Sequence, residues 1–472
     1  MQYTDNYTKV KDLKIAYIGG GSRGWARGLM SDLAIEETMS GTVWLYDIDL
    51  LAAKDNEILG NKISELPDAK GKWEYKAVET LKEALVGADF VVISILPGTF
   101  DEMESDVHTP EKYGIYQSVG DTVGPGGIIR ALRTIPMYKT IAEGIRDYCP
   151  NAWVINYTNP MTMCVSALYK YFPQIKAFGC CHEVFETQNL LGESYWEKKG
   201  YFPIREQARI NVLGINHFTW ITEAKFGTED LFPYYREFAE KYYENGYGAK
   251  EKHWINNSFA CGNKVKFDLF KRYGVIAAAG DRHLAEFCPR EWYLKSPQAV
   301  RDWLFGLTTV AWRKKDLQQR IEKTKKLISG EEPLELTTTG EEGVKQMKAV
   351  LGLSTLVTNV NMPNHGQIKN LPEGFVVETN ASFSSVGVKP IVAGEIPAGV
   401  DGLVQRVAYN QDLTVEAAMT GNYELAFKAF LNDPLVTIST TDARKLFEEM
   451  LKNTQKYLPD YSKQSFINEH KA

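Results

Sequence analysis

At 472 residues, with 44% hydrophobic and 24% charged residues, the chain has a globular composition and room for two or three domains or one two-lobed unit, which excludes a disordered or collagen-like chain. Its 54 Lys+Arg against 60 Asp+Glu give a formal net charge of −6 with no basic run, so nucleic acid is not expected as a partner. Residues 1–14 are polar, and the apolar runs are strand-sized rather than the ~20 residues of a membrane helix, so a cytoplasmic protein with no membrane partner is expected.

Residues 13–18 read as a short buried strand running into Gly19-Gly20-Gly21-Ser22-Arg23-Gly24 and a helix from 25 to about 37. A second strand, 42–46, ends at Asp47, and a helix follows over 50–64. Strand 73–78, a short helix over 81–86 and strand 90–96, stopped by Pro97-Gly98, continue the alternation. A glycine-dense loop, 120–127, leads to a long helix over 128–148, then strands at 152–156 and 176–180. Beyond about 183 the pattern is less regular. Residues 209–213 and 219–225 read as strands around Asn216-His217, and helices fall within 297–328 and 399–432. The alternation predicts an α/β fold: an N-terminal Rossmann-like doubly wound parallel sheet over 1–182, and a second, mixed α+β lobe over 183–472.

Gly19, Gly21 and Gly24 fit the dinucleotide fingerprint G-x-G-x-x-G in its required setting, after a strand and opening a helix. Glycines there permit the tight turn, let the backbone approach a pyrophosphate and let the helix pack on the strand. The helix N-terminus then faces the phosphates. Asp47, at the end of the next strand, is placed to accept from a ribose diol, which favours NAD over NADP.

Six cysteines are too few and too scattered to suggest a disulfide framework. Cys181-His182-Glu183-Val184 and Gly214-Ile215-Asn216-His217 supply a thiol and an imidazole, a soft pair suited to transition metals if the fold joins them. A packed cysteine and a hydrogen-bonded histidine are the structural alternative.

Taken in order, these segments resemble glycoside hydrolase family 4, the NAD- and manganese-dependent glycosidases. The motifs are the run 15–47, Gly120-Asp121-Thr122-Val123-Gly124-Pro125-Gly126-Gly127, Thr158-Asn159-Pro160, the Cys181 and His217 motifs, and 362–372. They span nearly the whole chain. Such enzymes stand outside the usual two-carboxylate mechanism of glycosidases. The resemblance implies oxidation of the sugar at C3 by NAD⁺, removal of the acidified C2 proton, elimination of the aglycone, addition of water and return of the hydride. It also implies Cys181 and His217 as ligands of Mn²⁺ or another divalent metal, and a homodimer or homotetramer.

Within the family, Cys181-His182-Glu183-Val184 resembles the α-galacturonidase branch, and no arginine follows the strand ending near Pro97, as the phosphosugar branches have. The resemblance makes Asp281, in Ala279-Gly280-Asp281-Arg282-His283-Leu284, the candidate base, with Tyr273 next in line. His182 is a candidate general acid, or a residue that positions a sugar hydroxyl. Asn159 is matched to a residue that reaches substrate hydroxyls near the nicotinamide. Arg282 is the candidate for a uronate carboxylate, or the member of a structural ion pair. Cys180 reads as a packed neighbour. Uronide substrates are therefore expected. An α-galactosidase or α-glucuronidase of the same family, an NAD-dependent hydroxy-acid dehydrogenase and a noncatalytic NAD sensor remain alternatives.

Overall fold

The structure, a computed structural model, describes residues 1–248, 261–459 and 461. Its first half contains strands β1 (Gln2–Thr4), β2 (Lys9–Ile18), β3 (Met39–Tyr46), β4 (Trp73–Val78), β5 (Phe90–Ile93), β6 (Trp153–Asn156) and β7 (Lys176–Gly179). The helices between them are α1 (Trp25–Ile35), α2 (Leu50–Ser64), α3 (Leu81–Leu85), α4 (Phe100–His108), α5 (Gly124–Tyr148) and α6 (Met161–Tyr171). The order β4-β3-β2-β5-β6-β7 is parallel throughout. Counted along the chain from β2, this is the doubly wound order whose reversal, here between β2 and β5, opens a crevice at the carboxyl ends of the strands.

The sheet does not stop at β7. Helix α7 (Glu183–Lys199) leads to β8 (Ala208–Ile215), β9 (Phe218–Phe226) and β10 (Glu229–Asp230). After α8 (Phe232–Tyr242), α9 (Lys264–Tyr273), β11 (Ile276–Ala277) and α10 (Asp281–Phe287) come β12 (Leu356–Pro363), β13 (Val376–Ser384) and β14 (Gly387–Pro390). Strand β12 pairs antiparallel with β7 through Asn361 and Gly179, and the ladder continues through β13, β8, β9 and β10. The described residues thus form one sheet of 14 strands, parallel from β4 to β7 and antiparallel beyond, with β1 added antiparallel on β2. One apolar core runs across both halves, from Ile93 and Ile129 to Trp220, Phe287 and Phe430.

Most predicted elements appear with ends shifted by a few residues, and two shifts have clear causes. Strand 90–96 stops at Ile93 because the Ile95 N–H is taken by the Thr158 hydroxyl at 2.9 Å, not by a neighbouring strand. The helix expected from 128 begins at Gly124, with Pro125 in its first turn, where a missing N–H costs nothing. Helix α5 therefore absorbs half of the glycine-dense loop. Gly127 makes this close approach possible, because a Cβ there would lie 2.5 Å from the Thr122 carbonyl carbon. The 362–372 motif runs from the end of β12 into a loop clamped by Asn364, whose amide donates to the carbonyls of Ile368 and Leu371 at 2.9 Å each. No helix among the described residues is long and apolar enough to cross a membrane.

Candidate active site

At the end of β2, Gly19 takes φ +92°, and a Cβ on it would stand 2.0 Å from the Ser94 carbonyl oxygen. Only glycine lets the two central strands turn out of the sheet this close together. Asp47 fixes the loop from the next strand: its Oδ2 accepts the Gly21 N–H at 2.8 Å and its Oδ1 the Asp49 N–H at 2.9 Å. Burial pushes its carboxyl up, while these N–H donors pull it back. Buried Asn56 donates to the carbonyls of Gly20 at 2.7 Å and Ser22 at 2.9 Å. The loop is thus pre-formed. Arg320, on the helix Val310–Ser329, reaches the same place, with Nη1 2.7 Å from where a Gly24 Cβ would stand. The sequence alone had no signal for Arg320, because it arrives from almost 300 residues away.

The Cys181 and His217 segments meet where the parallel and antiparallel halves join. The side chain of Asn216 hydrogen-bonds Cys181, and its Nδ2 donates to Glu378 Oε2 at 3.2 Å. Asn359 Nδ2 donates to Glu378 Oε1 at 2.6 Å and to the Cys181 carbonyl at 3.2 Å. Burial, reinforced by Glu378 and Glu183, pushes the Cys181 thiol well above its usual range. His217 occupies φ +64° in the two-residue turn between β8 and β9 and is only 4% exposed. Its Nδ1 lies 3.0 Å from Thr122 Oγ1, and its ring centroid 3.8 Å from that of His283. Burial and then His283 push His217 down to about 3, so its ring is neutral at neutral pH.

Glu183 and His283 complete the cluster. Glu183 Oε2 accepts the Gly280 N–H at 2.8 Å, and its Oε1 lies 3.5 Å from His283 Nε2. Burial opposes ionisation of Glu183, but His283, His217 and the Gly280 N–H outweigh it and hold the carboxyl low. Burial likewise opposes ionisation of Asp121, and Arg130 outweighs it with help from the two imidazoles. Both residues sat inside motifs visible in the sequence, without an assigned role. Glu378 had no signal at all.

Other candidates lie around this centre. Asn159 follows β6, and its Oδ1 is buried without a hydrogen-bond partner among the described residues. His182 immediately precedes α7 and is 44% exposed at its side chain. Its Nδ1 lies 2.8 Å from Glu341 Oε1, and that hydrogen bond outweighs burial and pushes the imidazole up to about 9. Asp281 is completely buried and accepts the N–H groups of Val265 at 3.2 Å and Lys266 at 3.1 Å. Burial pushes it up to about 6, against the pull of Lys266 and these donors. Its carboxylate therefore faces the first turn of α9, and no hydrogen bond joins it to Cys181 or His217 among the described residues. Arg282 donates to the Ser118 carbonyl at 2.7 Å and to the Thr308 hydroxyl. Tyr273 packs edge-on against Trp220 in the core. Cys180 is buried, with its thiol donating to Gln346 Oε1 at 2.8 Å.

The residues present fit a divalent cation. The buried Glu378 and the half-buried Glu183 lie near the thiol, and a neutral imidazole shares the turn with the Asn216 that holds the thiol. No set of three His, Cys, Asp or Glu side chains among the described residues is arranged to hold a metal. A cation here would take two protein donors and complete its shell with substrate and water.

Comparison with known proteins identifies the family. The family described as family 4 glycosyl hydrolase matches residues 14–195, and its C-terminal domain matches residues 212–436. An alpha-galacturonidase of Thermoanaerobacterium saccharolyticum is 65% identical over 460 residues, covering 97% of this chain and 98% of that one. The crystal structure of the Bacillus subtilis protein lplD superposes with a TM-score of 0.89 at 54% identity, covering 94% of this chain and 100% of that one. The 6-phospho-beta glucosidase of Thermotoga maritima was solved with manganese, NAD⁺ and glucose-6-phosphate. It shares the fold at a TM-score of 0.76 and 22% identity, covering 94% of this chain and 99% of that one. A match to both halves of one family, laid on a sheet that itself runs through both halves, leaves a single conclusion: the chain belongs to family 4 of the glycosyl hydrolases.

Proposed function

We propose that this enzyme cleaves α-galacturonides by oxidation at C3, loss of the C2 proton and elimination of the aglycone, with NAD⁺ and Mn²⁺ as cofactors. The observation that carries the substrate is the 65% identity, over nearly all of both chains, to an enzyme named alpha-galacturonidase. In this reading residues 1–182 form the NAD-binding domain and end at the metal ligand Cys181 and at His182, and residues 183–472 add His217, the rest of the substrate surface and the subunit contacts.

When bound, NAD⁺ would supply a reversible hydride acceptor and Mn²⁺ a positive charge that acts as a Lewis acid on the sugar. Gly19, Gly21 and Gly24 bring backbone N–H groups to the pyrophosphate, and Asp47 accepts from the adenosine ribose. Cys181 and His217 would hold the metal. The buried Asn159 Oδ1 accepts a hydrogen bond from a sugar hydroxyl, which relieves an otherwise unpaired acceptor. Asp281, pushed up to about 6, is poised to take the C2 proton near neutral pH and to return it when water adds across C1 and C2. His182, charged at neutral pH beside Glu341, gives its proton to the departing glycosidic oxygen. Arg282, half-buried within electrostatic reach of Glu183 and Asp121, engages the uronate carboxylate.

The test is turnover of 4-nitrophenyl α-galacturonide, α-galactoside and α-glucuronide with NAD⁺, Mn²⁺ and a reductant, run in D₂O. The expected result is release of nitrophenol from the galacturonide, deuterium at C2 of the product and no accumulation of NADH. Faster turnover of the galactoside or glucuronide overturns the substrate. Stoichiometric NADH makes the enzyme a dehydrogenase, and hydrolysis without C2 exchange defeats the elimination route.

A further inference from the structure

We propose that Thr122 and Asp121 set the tautomer of His217, so that the ring presents a bare Nε2 to the cation site. The inference rests on the metal role proposed for His217 above. Thr122 Oγ1 lies 2.8 Å from Asp121 Oδ1 and 3.0 Å from His217 Nδ1. A hydroxyl has one proton to donate, and an ionised carboxylate can only accept. The Thr122 proton therefore goes to Asp121. What the hydroxyl offers His217 is a lone pair, which requires an N–H at Nδ1. A neutral imidazole carries one N–H, so the proton at Nδ1 leaves the Nε2 lone pair free to bind a metal.

Each end of this relay is fixed independently. His217 is held in the tight turn between β8 and β9, buried, at a positive φ that few non-glycine residues adopt. The His283 ring covers it at 3.8 Å. Thr122 is pinned by the first turn of α5, which packs on its backbone through the missing side chain of Gly127. The ring therefore has little freedom to turn and exchange its two nitrogens. The glycine-dense loop thus acts on chemistry it does not touch. It carries a carboxylate and a hydroxyl whose joint effect is to orient a ligand, the usual task of the partners behind a metal-bound histidine. Thr122 and Asp121 are positioning residues.

Two measurements on the purified full chain test this. The first is the long-range ¹H–¹⁵N spectrum of metal-free protein labelled at histidine, with the His217 signals assigned by comparison with His217→Ala. Wild type should show the proton on Nδ1. In Asp121→Asn the new amide can donate to Thr122, which reverses the relay and moves the proton to Nε2. The second is binding of Mn²⁺ alone, followed by electron paramagnetic resonance. Thr122→Val should weaken it about 10- to 100-fold, the usual cost of losing a partner behind a ligand. Thr122→Ser should restore it, and NAD⁺ affinity should stay at the wild-type value in both variants. A proton on Nε2 in the wild type overturns the inference, and so does wild-type Mn²⁺ binding by Thr122→Val. Wild-type Mn²⁺ binding by His217→Ala instead overturns the metal reading, and the tautomer spectrum then decides the relay by itself.

Discussion

Asp47 carries more than the ribose contact that its place after β3 suggests. Both of its oxygens accept backbone N–H groups, one from the glycine loop and one from the start of α2. A carboxylate can accept from two donors at once, but an amide has only one accepting atom. Asp47→Asn must therefore turn its NH₂ toward one of the two N–H groups, with a cost of about 1–3 kcal/mol for the unsatisfied donor. The expected outcome is a loss of that size in urea unfolding of the NAD-free enzyme, together with weaker NAD⁺ binding. A ribose contact alone would weaken NAD⁺ binding and leave the apo protein unchanged. Equal apo stability in the two proteins therefore sinks the structural half of this account. At this scale the spacing of the glycine fingerprint marks Gly19 and the following strand end marks Asp47, while Cys181 and His217 stand out only through the family resemblance. The sequence did not show the work of Thr122, Glu183 or His283, because a hydrogen bond between residues 95 apart leaves no local trace.

Among the elements, legibility followed the apolar pattern. Strand β5 is a run of four buried apolar residues bounded by turn residues, and it was readable. Strands β12 and β13 were not. They bury Asn359, Asn361 and Glu378 among their apolar residues, so neither an apolar run nor an alternation survives. Those same polar residues carry the network beneath Cys181, so the site itself erased the signal of the strands that hold it. Helix α9 shows a related effect. Its N-cap residue, Asn263, has a left-handed backbone and makes no capping hydrogen bond. Asp281, the first residue of α10, accepts the Val265 and Lys266 N–H groups in its place. The candidate base is also a helix cap supplied from another segment. Asp281→Ala should thus destabilise the protein by about 0.5–2 kcal/mol, the range for loss of a cap. Asp281→Asn, which keeps one acceptor, should lose less stability while losing C2 exchange. An Asp281→Ala variant as stable as wild type in thermal unfolding would show that α9 does not depend on this carboxylate.

Across the whole molecule, the stretch from Gln117 to the first turn of α5 at Gly127 is the seam where the two halves of the chain meet. Its Ser118 carbonyl takes Arg282, its Gly124 N–H goes to Asp433 Oδ2 at 2.8 Å, and its Val119 and Gly120 N–H groups go to Glu286 Oε1 at 2.8 and 2.9 Å. Glu286 is completely buried, and its other oxygen has no hydrogen-bond partner among the described residues. Burial outweighs the two N–H donors and pushes its carboxyl up to about 8, so at neutral pH the acid is protonated. In the unfolded chain it titrates near the ordinary glutamate value of about 4.3. Between these limits the folded protein binds one proton more than the unfolded chain. Stability from this group is therefore fully present below the unfolded value and is lost as pH rises through about 8. Glu286→Gln keeps the acceptor for the seam and removes the titration. The wild type should lose stability relative to this variant by on the order of 1 kcal/mol per pH unit between about 5 and about 8. Because the comparison is a difference, every other titrating group cancels. Urea unfolding of both proteins across that window reads the slope directly, and parallel curves would mean that Glu286 is ionised in the fold and that the seam is held by charge.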